Sequence, residues 1–116
     1  MKTNLNIVAV TACVTGVAHT YMAAEKLRKY CATYGHKIIV ETQGVLGSEQ
    51  HVDEEDIRNA DVVIITSDIN IAGAERFDVP CRLISISISD VMLNTEKLFR
   101  AIDKILNHPK GTRLDF

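Results

Sequence analysis

The chain has 116 residues and a mass of 12.9 kDa, the size of one domain built on a single core. Its 47% hydrophobic and 24% charged residues are those of an ordinary globular protein. A formal charge of −2 with no basic stripe excludes a nucleic-acid reading, and no apolar run nears the roughly 20 residues of a membrane-spanning helix. The start, Met1-Lys-Thr-Asn-Leu-Asn, lacks the apolar core of a signal peptide and suits a separate chain. Cys13, Cys31 and Cys81 are an odd number without C-x-x-C spacing, which disfavours a disulfide framework and a zinc site, so no metal is expected. The expected compartment is a reducing cytosol.

In chain order, Ile7 to Val10 is an apolar run that reads as a buried parallel strand. A short turn with Cys13, Thr15 and Gly16 follows, and from about Val17 the composition turns to helix formers. The first helix is expected over 17–34, with Ala23, Ala24, Leu27, Cys31 and Tyr34 on its inner face and Gly35 as its terminator. Lys37 to Thr42 reads as an edge strand and Gln43 to Ser48, with two glycines, as a loop. Val52 or Asp53 opens a short acidic helix, Glu54 to Asn59.

Asp61 to Thr66 carries four consecutive β-branched apolar residues and predicts a strand buried on both faces. Ser67 to Ala72 reads as a loop and Gly73 to Phe77 as one helical turn. Cys81 to Ile86 is a fourth strand, and Ser87 to Val91 a loop. A last helix spans 94–107, with Asn94 as N-cap, Leu98, Ile102, Ile105 and Leu106 on its apolar face, and Pro109 ending it. The expected domain covers 1–108, and 109–116 is expected as a flexible tail.

Alternating strands and helices predict a single-domain, three-layer α/β fold with a four-stranded parallel sheet, order 2-1-3-4, and helices on both faces. Ligands of such folds sit at the carboxyl ends of the strands. Cys13 falls there, in a P-loop-like loop between the first strand and the first helix. Free N–H groups and the dipole of a helix N-terminus favour negative charge. They would lower the thiol pKa and favour the nucleophilic thiolate, and they would also hold a phosphoryl group on the sulfur.

The segment Ala9-Val-Thr-Ala-Cys13-Val-Thr-Gly-Val-Ala-His19-Thr-Tyr-Met-Ala-Ala-Glu25 resembles the signature of the fructose-type enzyme IIB of the bacterial phosphoenolpyruvate-dependent sugar phosphotransferase system. Val40-Glu-Thr-Gln-Gly44 and Asp68-Ile with Glu75-Arg-Phe77 match in the same order. The resemblance runs from about Leu5 to Leu106. The family usually has proline directly after the cysteine; here the residue is Val14, which suggests a fructose-like subgroup. The resemblance implies that Cys13 accepts a phosphoryl group from a phosphohistidine of enzyme IIA. It then passes the group to a fructose-like sugar entering through the membrane permease, enzyme IIC. The implied place is the cytoplasm, transiently at the inner face of the cell membrane, and no cofactor is needed.

The residues expected around the phosphoryl group are Val14, Thr15, Gly16, Val17, Ala18, His19 and Thr20. No Lys or Arg occurs between Asn4 and Glu25, so backbone N–H groups and hydroxyls would carry it. Gln43 and Gly44 are assigned to partner docking and Asp68 to fixing its own loop. Arg76 forms a solvated pair with Glu75 or reaches a docked partner. His36, His51 and His108 are expected exposed, and Cys31 and Cys81 in the core.

Two rival readings stay open at this point. A low-molecular-weight tyrosine phosphatase also uses a strand, a cysteine loop and a helix, but His19 stands where its arginine belongs, and neither Pro80 nor Pro109 follows an aspartate. A thiol-based redox or regulatory module would use a low-pKa cysteine equally well.

Overall fold

A computed structural model describes residues 4–12, 18–44, 47–67 and 69–116. The elements are β1 (Asn6–Ala12), α1 (Ala18–Thr33), β2 (Lys37–Gly44), β3 (Gly47–Glu49), α2 (Glu54–Asn59), β4 (Val62–Ser67), a 3-10 turn (Ala74–Asp78), β5 (Leu83–Ile86), α3 (Ile88–Leu93), α4 (Thr95–Leu106) and β6 (Arg113–Asp115). The sheet order is β3-β2-β1-β4-β5-β6. Its four principal strands, β2, β1, β4 and β5, are parallel in the order predicted.

Among the described residues the sheet has six strands rather than four. β3 runs antiparallel to β2, with Gly44 opposite Gly47, so Gln43, Gly44, Gly47 and Ser48 of the predicted loop are strand residues and β2 is not an edge. At the other edge β6 pairs in parallel with β5, Ile84 in register with Leu114. The expected tail over 109–116 thus gives way to a strand. Pro109 does end α4, but the chain turns back, and Leu114 and Phe116 find apolar partners against the core.

Alternation along β1 divides the interior. Ile7 and Ala9 face α1, α3 and α4, meeting Leu27, Val91, Leu98 and Ile105 in the larger core. Val8 and Val10 face the other way, toward Ile57 of α2 and Phe77 of the 3-10 turn. Period-2 side chains on a strand covered on both sides produce the unbroken apolar run of the sequence.

Helix α1 buries Ala23, Ala24, Leu27 and Cys31 as predicted, with Tyr30 joining them and Tyr34 half-buried. Gly35 ends it at φ +72°. The His36 N–H bonds Cys31 O at 2.8 Å and the Gly35 N–H bonds Ala32 O at 3.4 Å, the paired bonds of a Schellman ending that favour glycine at the left-handed position. His36 is buried, not exposed: its Nδ1 accepts the Leu5 N–H at 3.1 Å, which ties the entry of β1 to the end of α1. Burial lowers its pKa from the ordinary histidine value.

Asp53 caps α2 in a reciprocal box with Asp56. Helix α3 replaces the loop predicted over Ser87 to Val91: Ser87 Oγ accepts the Asp90 N–H at 3.1 Å, and Ile88 and Val91 are buried. Asn94 closes α3 and precedes α4, without the side-chain capping bond expected of it. Cys31 and Cys81 lie in the core, their thiols pushed up by burial, Cys31 to about 12.

Candidate phosphoryl-transfer site

The carboxyl ends of the parallel strands gather the residues singled out in the sequence. Ala12, the last residue of β1, is flanked in register by Gln43 of β2 and Ser67 of β4. Because β1 lies between them, the ends of β2 and β4 flank its own end on either side. Cys13, Val14, Thr15, Gly16, Val17 and Asp68 lie outside the described residues. Ala18 and His19 open α1, and Thr20 in that first turn is fully buried.

Gln43 ties the two sides together. Its Nε2 donates to Ala72 O at 3.0 Å, and its Oε1 accepts the Ala72 N–H at 2.8 Å. One carboxamide therefore holds the backbone of a residue beyond β4, on the far side of β1. The same Nε2 donates to Glu41 Oε2 at 2.6 Å.

Glu41 is the residue that sequence reasoning left without a role. Its side chain is 2% exposed and ion-paired to Arg76, Nη1 to Oε1 at 2.8 Å, with Nη2 to Oε2 at 3.1 Å. Its Oε1 also accepts the Val52 N–H at 2.8 Å and lies 3.3 Å from His51 Nδ1. Burial alone would raise the pKa. The hydrogen bonds from Arg76, Gln43 and Val52, with the guanidinium charge, outweigh it and hold the carboxyl below the usual range.

Arg76 departs from both earlier readings: it is neither a solvated partner of Glu75 nor a cation reaching toward a docked protein. It is 11% exposed. Besides the two Glu41 oxygens, its Nε donates to Gly73 O at 2.7 Å, Nη2 to Ala72 O at 2.9 Å, and Nη1 to Val52 O. A guanidinium has five N–H donors, and five acceptors are in place. Gly73 at φ +70° makes this possible, since a Cβ there would stand 2.8 Å from Arg76 Nε. The arginine is thus committed to joining 41, 52 and 72–73, and with Gln43 it fixes the walls on either side of the β1 terminus. The only trace of this in the sequence was a pair of unlike charges, Glu41 and Arg76, in two separate matching blocks.

Among the described residues, no group of three or more His, Cys, Asp or Glu could hold a metal ion. None of their helices is long and apolar enough to cross a membrane.

Residues 8–101 match the family model described as the IIB subunit, lactose/cellobiose specific, of the phosphotransferase system. The chain belongs to this enzyme IIB family. Its relatives include the protein named PTS system fructose-like EIIB component 3 of Escherichia coli K12, 48% identical over 93% of this chain and 95% of that one. A crystal structure described as a predicted fructose-specific IIB from Escherichia coli superimposes with a TM-score of 0.89 at 46% identity, covering 97% of this chain and 98% of the other. The Escherichia coli K12 protein named fructose-like PTS system EIIBC component is 39% identical over 85% of this IIB, which spans only 21% of that longer chain. The family is one of sugar phosphocarriers, and its members are phosphotransferases.

Proposed function

We propose that this IIB is a phosphocarrier for fructose or a fructose-like sugar, working through a phosphocysteine at Cys13. The observation that carries the reading is the position of that residue. It directly follows β1, an interior strand from which the sheet order runs outward to β2 on one side and β4 on the other. Such a switch point is where open parallel sheets receive ligands. Kinship with proteins named fructose-like EIIB components supports the same reading.

In the first step the Cys13 thiolate attacks the phosphorus of a phosphohistidine on enzyme IIA. The S–P bond forms, the N–P bond breaks, and the imidazole leaves with the electron pair. In the second step a sugar hydroxyl presented by the enzyme IIC permease attacks the same phosphorus. The O–P bond forms, the S–P bond breaks and returns the thiolate, and the hydroxyl proton passes to solvent. Backbone N–H groups from Val14 to Thr20, with the Thr15 hydroxyl and His19, bear the phosphoryl charge at the start of α1. Gln43, Gly44 and Asp68 shape the neighbouring walls, and Arg76 braces one of them from within. No cofactor enters either step, because the energy is already in the phosphohistidine. The relay operates in the cytoplasm, meeting the permease at the inner face of the membrane.

Both partners must reach one sulfur, so they bind in turn. The test is intact-mass spectrometry with phosphoenolpyruvate, enzyme I, the histidine-containing carrier protein and a fructose-type enzyme IIA. The expected result is one phosphoryl group on wild type, none on Cys13→Ser, discharged by permease and sugar. No mass gain with an active, matched enzyme IIA would overturn the reading, and rapid release of free phosphate without sugar would indicate a phosphatase.

A further inference from the structure

His36 is a buried titratable side chain that the phosphocarrier reading leaves unused. It directly precedes β2, at the end of the sheet where the parallel strands begin. The residue is 7% exposed. Its Nδ1 accepts the Leu5 N–H at 3.1 Å, so the neutral ring carries its proton on Nε2. That Nε2 is buried as well and has no hydrogen-bond partner. One nitrogen is an acceptor only while the ring is neutral, and the other is a donor with nothing to receive it.

The groups around the ring offer an imidazolium no counter-charge. From α1, Tyr30 and Tyr34 face it at 5.6 and 6.3 Å between ring centres. Phe99 of α4 closes the aromatic group against both tyrosines. The Tyr30 hydroxyl, pushed up to about 12 chiefly by burial, stays neutral, and Asp103 of α4 bears on Tyr30. Lys37, the next residue, is exposed. Burial lowers the pKa of His36 with no charged neighbour contributing. Leu5 is held on both sides of its peptide unit, because its carbonyl accepts the Lys37 N–H at 2.8 Å, and its side chain belongs to the core beside Tyr30. A proton on Nδ1 would set N–H against N–H and leave a buried, charged ring with two donors and no acceptor. A charged His36 is therefore stable only in water, and reaching water means letting go of Leu5.

We propose that His36 is a pH-sensitive latch on the entry of β1: neutral, it fastens Leu5 to the end of α1, and protonated, it turns out to solvent and frees Leu5 from the core. The opposite end of the sheet does not share the response. The Glu41 carboxyl there is held below its usual range, and its partner Arg76 keeps its charge throughout. Between the ordinary histidine and glutamate values, about pH 6.5 and about pH 4.3, acid opens one end of the molecule and leaves the other closed. This is local unfolding confined to the strand entry.

The experiment follows amide hydrogen exchange of the full chain by NMR from about pH 7.5 to about pH 4.5, with the His36 ring titration read from its nitrogen shifts. Protection of the Leu5 and Lys37 amides should fall by up to about tenfold for each pH unit below about 6.5, until the folded pKa is passed. Val63 and Ile64 of β4 should keep theirs. His36→Asn sets an amide oxygen where Nδ1 stands and cannot titrate, so its Leu5 protection should be independent of pH. Wild-type Leu5 protection that does not change with pH would overturn the proposal, as would an asparagine variant that retains the wild-type dependence. If that variant does not fold, wild type still decides. The ring titration must coincide with the end of the protection loss, and a ring that titrates while Leu5 stays protected sinks the latch.

Discussion

The two faces of the sheet are closed by different physics. On one face α1, α3 and α4 lay long apolar surfaces over the strands, and its interior is aliphatic and aromatic, with Tyr30 stacked on Phe99 at 4.7 Å between ring centres. On the other face the cover is the short helix α2, a 3-10 turn and loops, and the apolar cluster is smaller. There the closure is completed by Glu41 and Arg76, whose ion pair also satisfies carbonyls of Val52, Ala72 and Gly73. Loops expose backbone acceptors that helices keep to themselves. A face covered by loops therefore needs donors, and a buried arginine supplies five in one plane.

The sharpest way to break that contrast is Arg76→Ala. It leaves Glu41 buried without its cation and takes the guanidinium donor from the carbonyls of Val52, Ala72 and Gly73, of which Ala72 O keeps Gln43 Nε2 and Gly73 O keeps the backbone N–H of residue 76, and a loss of about 3–5 kcal/mol is expected in urea unfolding. The same network shapes the acid arm of stability. Glu41 has a folded pKa below its unfolded value, so its contribution is complete above about pH 4.3 and is lost as pH falls through the folded value. Glu41→Gln should flatten that arm; an unchanged acid arm would separate the ion pair from acid stability.

On the helical face the largest single effect should come from a cavity. Ile105→Ala removes a fully buried side chain from between α4 and the sheet and should cost about 2–5 kcal/mol. Unlike Arg76→Ala, it should leave the acid arm unchanged. His36 belongs to this face, and its folded pKa is depressed by burial. Its contribution is complete above about pH 6.5 and is lost as pH falls from there through the folded value. His36→Gln should therefore alter the stability profile at higher pH than Glu41→Gln does, and coincident changes would remove the distinction between the faces.

The smallest effect sharpens the comparison at the seam between α3 and the sheet. Ser87→Ala deletes the bond that caps α3, and a loss of about 1 kcal/mol is expected. Hydrogen exchange should rise in 88–93 first, with β1 and β4 unaffected.

How much of this was legible depended on length and on locality. Helix α1 was readable through its Ala23, Ala24, Leu27 and Cys31 face and its Gly35 ending, because sixteen residues span more than four turns. Helix α2 announced itself by Asp53 and the acids after it. Helix α3 did not, since six residues make less than two turns and only Ile88 and Val91 mark its buried side. β3 and β6 have three residues each and exist by pairing with strands already formed. His36 looked exposed because nothing local shows that Leu5 would hand it a hydrogen bond. At the candidate site, the position of Cys13 between strand and helix was evident from the sequence, as was kinship with the enzyme IIB family. The task of Arg76 was not, because its partner Glu41 lies 35 residues away.

The sequence by itself determined the elements whose signals are periodic or capped, the order of the four principal strands, and the cysteine-bearing segment with its family. These follow from hydrophobic period, turn chemistry and the handedness of parallel crossovers, all written in neighbouring residues. Only the tertiary structure decided that Arg76 is buried with Glu41, that Gln43 clasps Ala72 across β1, and that His36 accepts the Leu5 N–H in the core. Strand register and loop closure join residues far apart in the chain, and the desolvation that makes a charge pair or a bare ring nitrogen matter exists only once they have met.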